Sequence, residues 1–401
     1  MKNNKSILIF GVGTLQKSII ELCKKKGLFT IGIDPNENAE CKNLVDLFIV
    51  VDGNDLKQTI NIAKNYAVSG LITAATDKPL QMMAKVATEL TLPFFSLDTA
   101  KKSTDKFLMK QVFQKAGIQC AKGFILDSIE KLKNIRLEFP IIVKPRDNSG
   151  SRGVKYCVNL NEVEVAVQEA FSFTRKKNIL LEEFVEGQEY SVECLHYNCN
   201  TYLMQITEKK TTNFPYNVEL EHIQPAELNE EIKKKIHYIV SDIAKVLRYK
   251  NCASHSEIKI NNKGIYVIET SPRLGGDFIS STLVPLSTGV NMEEILIDMA
   301  IKNSLCEDFF KIKINKFSGI KYFEISQGVI KEINDLKKLD KIPGLKLWKF
   351  NLHVGDEVNQ ITSSLNRYGY AIIQCDTKKM LTKGFEDIDK IIKQEIIVNR
   401  S

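Results

Sequence analysis

Residues 6–100 alternate between two hydrophobic periods. Runs of consecutive apolar residues, typical of buried strands, alternate with stretches whose apolar positions recur at helical spacing. The strand-like runs are residues 6–10, 29–33, 46–51 and 70–74, and the helical stretches are residues 15–26 and 56–66. This βαβ rhythm predicts a parallel sheet covered by helices.

The pattern changes after residue 100. Residues 101–116 predict an amphipathic helix that Ser103 or Thr104 can cap, with Asp105 in its first turn. Strands then dominate, and a helix over residues 229–249 interrupts them. The predicted strands are residues 140–144, 179–185, 190–197, 201–207, 256–260 and 265–269. A third sequence pattern begins near Ile314, where glycines separate short predicted strands. A predicted helix over residues 385–394 follows as the last element.

Composition narrows the class of protein. The chain has 401 residues, of which 43% are hydrophobic and 26% charged, values that are ordinary for a globular protein. Apolar runs stay well short of the roughly 20 residues that a bilayer needs, and the polar first residues do not resemble a signal peptide. We therefore expect no membrane partner.

The net charge of +7 comes from 56 basic and 49 acidic residues. Only eight of the basic residues are Arg, and the Lys residues are spread along the chain, so we expect solvated helix faces and no nucleic-acid partner. Nine Cys without a C-x-x-C pair predict free thiols in a reducing cytoplasm.

Gly11-Val12-Gly13 follows the first strand-like run, and Asp34 ends the second. This arrangement suggests a dinucleotide site, which would support an NAD-linked dehydrogenase built on the first domain. The full fingerprint requires a third glycine, and Gln16 stands in its place. A structural turn is the favoured interpretation.

A loop between two predicted strands has the composition of a phosphate-binding loop. The strand over residues 140–144 delivers Lys144 at its end, and Gly150, Ser151 and Gly153 follow. The glycines permit positive φ and expose backbone N–H groups that can converge on phosphate oxygens. Arg146 and Arg152 lie in the same loop, whereas the alternative is a simple hairpin turn.

Two glutamates face each other in a predicted hairpin over residues 256–269. A three-residue loop, Asn262 to Gly264, would place Glu257 directly opposite Glu269, whereas a two-residue loop would put them on opposite faces. Like charges in that register are unfavourable unless a cation such as Mg²⁺ lies between them. Arg273 follows four residues later in a Pro- and Gly-rich turn, and such an arrangement suits phosphoryl transfer.

Taken together, these segments resemble the ATP-grasp superfamily of carboxylate–amine (or carboxylate–thiol) ligases. The resembling segments are residues 105–110, 139–145, 150–154, 182–189 and 269–277. The resemblance implies α/β and α+β architecture with the ATP-grasp fold. The implied domains are a Rossmann-like pre-ATP-grasp domain (1–100), a grasp domain (101–312) with a mobile lid lobe over about 122–186, and a small C-terminal α+β domain (313–401).

The resemblance also implies residue roles. Lys106 and Lys144 match phosphate-binding lysines, and Arg273 matches the arginine that stabilises the acyl-phosphate step. The other implied positions are Glu182, Glu183 and Val185 at the adenine hinge, Glu189 on the ribose, and Glu257 and Glu269 on magnesium. Ser271 stands where the family usually has a metal-binding Asn, and its hydroxyl is a poorer ligand. Candidate substrate contacts are Glu219, Glu221, His222, Arg273 and Gly276.

The implied activity is ATP-dependent amide formation through an acyl phosphate, with Mg²⁺ (or Mn²⁺) as the metal. The substrates would be a small-molecule carboxylate and an amine, and a homodimer is one assembly that the resemblance implies. Residues 221–226, 273–277 and the tail from Pro343 to Tyr370 look most like amino-acid ligases and carbamoyl-phosphate-synthase-like proteins. The alternatives are a purine-pathway enzyme similar to phosphoribosylglycinamide synthetase, the dehydrogenase, and a grasp protein that binds without catalysis.

Overall fold

The computed structural model describes residues 5–148, 150 and 152–399. The chain begins with a four-stranded parallel sheet in the order β3-β2-β1-β4. Its strands are β1 Ser6–Phe10, β2 Phe29–Asp34, β3 Leu47–Val50 and β4 Val68–Ile72, and its helices are α1 Lys17–Lys25, α2 Leu56–Asn65 and α3 Leu80–Leu90. The predicted parallel sheet is confirmed, and α3 lies outside the predicted elements.

The prediction of one continuous helix over residues 101–116 is wrong, because the helix is interrupted at Asp105. Two helices replace it, α4 Leu97–Thr104 and α5 Lys106–Lys115. Asp105 is the N-cap of α5, and its carboxylate accepts hydrogen bonds from the backbone N–H groups of Phe107 at 3.1 Å and Leu108 at 3.2 Å. Ser103 and Thr104 lie inside α4, and Lys106 becomes the first residue of α5.

A second sheet, antiparallel and four-stranded, carries the predicted phosphate loop. Its order is β5-β8-β6-β7. The elements are β5 Gly123–Leu126, β6 Ile141–Lys144, β7 Lys155–Cys157, α6 Leu160–Phe173 and β8 Ile179–Glu183. Helix α6 packs on one face of this sheet through a small separate core that includes Val143, Val167 and Leu181.

The largest sheet has eight strands in the order β13-β12-β9-β10-β11-β14-β18-β16. These strands are β9 Gln188–Tyr197, β10 Asn200–Thr211, β11 Glu219–Gln224, β12 Cys252–Asn261, β13 Gly264–Ser271, β14 Phe317–Tyr322, β16 Leu345–Phe350 and β18 Gly369–Cys375. A three-stranded sheet contains β15 Gly328–Ile333, β17 Glu357–Val358 and β19 Ile396–Asn399. The remaining helices are α7 Glu230–Leu247, α8 Val284–Thr288, α9 Met292–Ala300 and α10 Lys378–Glu395.

The eight-stranded sheet continues across residue 312, because β14 pairs with β11 through four residue pairs. The domain limits at residues 100 and 312 remain predictions. Among the described residues, no helix has both the length and the apolar surface needed to cross a bilayer.

The hairpin of β12 and β13 places Glu257 opposite Glu269, as predicted, but by a different route. Asn261 pairs with Gly264, so the loop has two residues and not three. Ile258 pairs with Val267, and a register shift between Glu257 and Ile258 then restores the opposition of the two glutamates. The shift leaves one extra residue on β13, which is how a β-bulge turns side chains to the other face.

Candidate active site

A cavity of about 960 Å³ lies between the antiparallel sheet β5-β8-β6-β7, the eight-stranded sheet and the carboxyl ends of the N-terminal strands. Most of the predicted site residues line it: Lys106, Lys144, Gly150, Glu182, Glu183, Val185, Glu189, Glu219, His222, Glu257, Glu269, Arg273 and Gly276. Gly153 and Ser271 are not among the lining residues, and Ser151 lies outside the described residues.

The two predicted phosphate-binding lysines each face a carboxylate. Lys106 Nζ lies 2.5 Å from Glu269 Oε2, and Lys144 Nζ lies 2.5 Å from Glu182 Oε1. Lys110 binds the other Glu182 oxygen at 2.7 Å. Burial lowers the pKa of Lys144, and Glu182 only partly counteracts this. For Lys106, burial is outweighed by the charge and hydrogen bond of Glu269 together with the charges of Asp77 and Glu257, so the pKa is raised.

The phosphate loop has the backbone that its glycines predict. Gly150 and Gly153 adopt φ of 68° and 73°, in the left-handed region. A Cβ at Gly153 would also approach Phe173 to 2.9 Å, so a larger residue would be strained there. Arg146 does not line the cavity, because its guanidinium Nη2 binds Asp105 Oδ2 at 2.7 Å.

The predicted adenine hinge lies at the end of β8. Glu183 accepts a hydrogen bond from the backbone N–H of Lys122 at 2.9 Å, and the Val185 carbonyl accepts one from Lys259 at 3.2 Å. The ring of Phe184 packs edge-on against those of Tyr156 and Phe214, with centroids 4.8 and 5.2 Å away. These rings form an apolar, aromatic wall beside the hinge, of the kind on which a planar base can stack.

Glu182 begins the implied hinge, whose proposed contact with adenine is through the backbone. Its side chain is 5% exposed and is held between two lysines, Lys110 and Lys144. Burial would raise the pKa of Glu182, but the charge of Lys110, followed by that of Lys144, lowers it. The carboxylate is therefore ionised and positions the end of β6.

Lys209 is a central residue of the site that the sequence does not reveal. Its buried Nζ binds Glu189 at 2.7 Å, Glu257 at 2.9 Å and Glu219 at 3.4 Å. Burial opposes the charge of Lys209, yet these carboxylates raise its pKa well above the ordinary value. Nothing in the local sequence distinguishes Lys209 from the many surface lysines, because its partners come from three other strands.

His255 and Glu193 form a buried pair next to Glu257 that the sequence does not single out. His255 Nδ1 is 2.5 Å from Glu193 Oε1, and Nε2 is 3.8 Å from Glu257 Oε1. Burial would lower the pKa of His255, but Glu193 raises it to about 9. A Cβ at Gly275 would come within 2.9 Å of both Glu193 and His255, which explains why a glycine stands there.

Arg273 is held by a residue of the N-terminal part of the chain. Asp77, in the loop after β4, receives the Arg273 Nε–H at 2.9 Å and an Nη2–H at 3.4 Å. The Ser271 hydroxyl also donates to Asp77. Burial would raise the pKa of Asp77, but the Arg273 charge and these hydrogen bonds lower it. Ser271 is thus engaged by a carboxylate.

The substrate end predicted from Glu219, His222 and Gly276 is completed from the C-terminal part. Arg367 forms a two-pronged ion pair with Asp277 at 2.8 and 2.7 Å, and His222 Nε2 lies 3.6 Å from Asp277. His222 is 1% exposed, and neither of its ring nitrogens has a hydrogen-bond partner among the described residues. Glu221 does not line the cavity and instead binds Lys321 at 2.7 Å.

Comparison with known proteins agrees with this geometry. A family model of the ATP-grasp domain matches residues 137–281, and one of the L-amino acid ligase C-terminal domain 2 matches residues 321–393. The crystal structure of L-amino acid ligase from Bacillus licheniformis superposes on 100% of both chains with a TM-score of 0.84 and 21% identity. The chain therefore contains an ATP-grasp domain.

Two further proteins are similar to this chain. The structure of phosphoribosylglycinamide synthetase from Anaerococcus prevotii matches 100% of both chains, with a TM-score of 0.76 and 24% identity. The alanine–anticapsin ligase of Bacillus amyloliquefaciens is 24% identical over 269 residues, which are 61% of this chain and 56% of the relative. The chain therefore spans about half the length of that curated relative.

Glu257 and Glu269 suit the magnesium that ATP-grasp chemistry implies. They come from adjacent strands in opposed register, supply hard carboxylate oxygens, and each already binds a lysine ammonium. Burial would raise the pKa of Glu257, but Lys209, and after it His255, lower it well below its ordinary value. No group of three His, Cys, Asp or Glu with metal-binding geometry occurs over residues 5–148, 150 and 152–399.

Proposed function

We propose that this protein is an ATP-dependent carboxylate–amine ligase that forms an amide through an acyl phosphate and releases ADP and phosphate. One observation carries the proposal: two lysines, two opposed glutamates and an arginine converge on a single cavity. These residues are Lys106, Lys144, Glu257, Glu269 and Arg273. General chemistry assigns this set to binding and transfer of a phosphoryl group.

The nucleotide would lie with its base against Phe184 and the backbone of residues 183–185, and with its ribose hydroxyls on Glu189. Lys106 and Lys144 would bind the phosphates, and Gly150 and Gly153 would let the loop backbone approach them. Magnesium, or manganese, held by Glu257 and Glu269 would neutralise phosphate charge. Because each lysine now faces a glutamate, nucleotide and metal would replace these lysine–glutamate contacts with phosphate and metal contacts.

The reaction proceeds in two displacements. A carboxylate oxygen of the acid attacks the γ-phosphorus, the bond from that phosphorus to the bridging oxygen breaks, and ADP leaves. The amine nitrogen attacks the carbonyl carbon of the acyl phosphate, loses a proton, and inorganic phosphate leaves. Arg273 stabilises the negative charge that develops in both steps. The lid that carries Gly150 excludes water, which would hydrolyse the acyl phosphate.

The acid substrate that fits best is an amino acid. Its carboxylate would meet Arg273, and its ammonium would lie toward Glu219 at the substrate end of the cavity, where the His222 ring nitrogens have no hydrogen-bond partner among the described residues. The name of the Bacillus licheniformis relative, an L-amino acid ligase, supports this class of substrate.

The purine-pathway alternative rests on the phosphoribosylglycinamide synthetase fold match. A phosphorylated sugar would need cations at the substrate end, but the Arg367 guanidinium there is already paired with Asp277. Such a substrate would have to use Lys78, which lines the cavity from the N-terminal loop.

The dehydrogenase alternative depends on the Gly11–Gly13 turn. Gln16 accepts the Gly13 N–H at 3.1 Å and donates to the Ala74 carbonyl at 2.6 Å. Asp34 accepts the Val12 N–H at 2.9 Å. The turn thus satisfies its polar groups internally, which favours the structural interpretation.

The test is release of ADP and phosphate from Mg-ATP in the presence of pooled amino acids and small carboxylates, with products identified by mass spectrometry. We expect release that requires both a carboxylate and an amine. Release without either substrate would indicate idle hydrolysis, and binding of NAD without any ATP turnover would support the dehydrogenase. Binding of ATP with no turnover in any pool would support a binding-only protein. Size-exclusion chromatography with light scattering would test the predicted homodimer.

A further inference from the structure

Asp77 is the member of the active site that comes from the N-terminal sheet. It follows β4, at the carboxyl edge of the parallel sheet, and lies 196 residues before Arg273 in the chain. Its Oδ1 receives both the Arg273 Nε–H at 2.9 Å and the hydroxyl of Ser271, and its Oδ2 receives an Nη2–H at 3.4 Å. Asp77 therefore binds two residues at the end of β13 at once.

This arrangement fixes the direction of the guanidinium. Arginine has five N–H donors in one plane. Asp77 receives two of them, and the Leu274 carbonyl receives a third from Nη1 at 3.0 Å. The two remaining N–H groups have no acceptor among the described residues, and Arg273 lines the cavity. An arginine held on one edge in this way presents its other edge to an oxyanion without reorganising.

The contact also accounts for Ser271. The Ser271 hydroxyl donates a hydrogen bond to Asp77. Ser271 therefore affects the position of Arg273 indirectly, through Asp77. Lys106 adds a further favourable charge, because it is among the groups that hold the pKa of the Asp77 carboxyl low, after Arg273 itself. Asp77 thus joins the loop after β4 to the end of β13.

We propose that Asp77, supported by Ser271, is a positioning residue that orients Arg273 for the acyl-phosphate step. This inference rests on the proposed function. It assigns the N-terminal sheet a part in the chemistry, because the orientation of Arg273 depends on a loop of that sheet. The competing explanation is an ion pair that only holds two parts of the chain together.

The experiment compares Asp77→Asn, Asp77→Ala and Ser271→Ala with a matched control, Asp46→Asn. Asp46 belongs to the same N-terminal part, binds Lys24 at 3.0 Å and accepts the Thr30 hydroxyl at 2.7 Å, but does not line the cavity. If the role of Asp77 were only structural, its substitution should have the same kind of effect on kcat and Tm as Asp46→Asn. The measurements are kcat, KM for ATP, the Kd for MgADP and Tm.

For Asp77→Ala we expect kcat to fall about 100-fold, within the range for loss of an aligned oxyanion donor, while KM for ATP and the Kd for MgADP change less than about twofold. Asp77→Asn, which keeps the shape, and Ser271→Ala should each lose about tenfold. Adding Ser271→Ala to Asp77→Ala should cost nothing more, because both act through Arg273. Asp46→Asn should lower Tm and leave kcat unchanged.

The proposal is overturned if Asp77→Asn keeps the wild-type kcat, or if the Asp77 variants lose nucleotide binding in proportion to activity. Should Asp77→Ala fail to fold, Asp77→Asn and Ser271→Ala still decide the matter. If the wild type shows no turnover dependent on carboxylate and amine, the proposed function fails first. Phenylglyoxal modification of Arg273, followed by mass spectrometry, then tests the contact itself: faster modification in Asp77→Asn than in the wild type supports it, and equal rates refute it.

Discussion

The two ends of the cavity are built in different ways. At the nucleotide end, the charged residues lie within residues 106–269 and pair lysine with glutamate, as in Lys106–Glu269 and Lys144–Glu182. At the substrate end, Arg273 depends on Asp77 and Asp277 depends on Arg367. The proposed nucleotide end therefore lies within the predicted grasp domain, whereas the proposed substrate end joins the N-terminal loop, β11 and the C-terminal part.

This difference separates the proposed binding of the nucleotide from the proposed binding of the acid. The nucleotide end is filled by complementary charges that a metal and phosphates can replace. At the substrate end, His222 makes no hydrogen bond among the described residues, and its Nε2 lies 3.6 Å from Asp277, which Arg367 already binds. Variants at the two ends should consequently affect different kinetic constants.

The largest effect is expected where the two ends meet. Arg273→Ala should lower kcat about 100- to 1000-fold, because the charge of the transferring group loses its aligned donor, while ATP binding stays near the wild-type value. Arg273→Lys keeps the charge, but an ammonium lacks the planar donors that let a guanidinium bind Asp77 on one edge and the transferring group on the other. This variant should therefore recover only a small part of the rate. Steady-state kinetics and MgADP titration check both variants, and normal turnover in Arg273→Ala would remove the residue from the mechanism.

At the nucleotide end, Lys144→Met should raise KM for ATP at least about tenfold and lower kcat, because a buried cation that faces the phosphates is lost. Lys155→Met is the control, since Lys155 lies on the neighbouring strand β7 and pairs with Glu169 at 3.4 Å. An unchanged KM for ATP in Lys144→Met would contradict the assignment of this end. The KM for the acid should be similar in both variants.

At the substrate end, His222→Ala should raise KM for the amino acid about tenfold, equivalent to about 1.4 kcal/mol, and leave KM for ATP within about twofold. His353 is 88% exposed at its side chain, and His353→Ala serves as the control. If His222→Ala instead altered KM for ATP, the two ends would not be functionally separate.

The smallest effect concerns stability far from both ends. Glu293 is 2% exposed on α9, accepts a hydrogen bond from the Ser18 hydroxyl and lies near Cys23, and burial raises its pKa to about 7. The folded state therefore holds a proton that the unfolded chain releases near pH 4.5. The free energy of unfolding should fall as pH rises from about 4.5 to 7, by up to about 3 kcal/mol.

Glu293→Gln should remove that dependence. The variant should melt several degrees higher than the wild type at pH 8 and close to it at pH 4.5, with no change in either KM. Thermal unfolding at the two pH values measures this, and equal Tm differences at both would show that Glu293 is ionised or solvated in the folded state.

The sequence predicts the nucleotide end well because its signals are local. Gly150 and Gly153, Lys144 at the end of β6, and Glu257 with Glu269 each follow from strand ends and turn composition. Even there, the opposition of Glu257 and Glu269 depends on a bulge that the residue pattern does not reveal. The predicted opposition of the two glutamates is thus confirmed, whereas the predicted three-residue loop is wrong.

The substrate end could not be predicted in the same way. Asp77 lies 194 residues from Ser271, and Arg367 lies 90 residues from Asp277. Lys209 looks like any of the abundant lysines until three strands bring Glu189, Glu219 and Glu257 around it. Such groups depend on strand order, and a single sequence carries no direct record of which distant strands are neighbours.

The pairing of β11 with β14 bears on how this protein can be divided or recombined. Cutting the chain after residue 312 would remove the neighbour of β11 and expose its unpaired N–H and C=O groups as a new sheet edge. A chimaera that exchanges the C-terminal part for that of another ligase must therefore bring a strand matched to residues 221–224. Fragments made without such a strand should self-associate, so substrate specificity is better altered by point substitution than by exchange of modules.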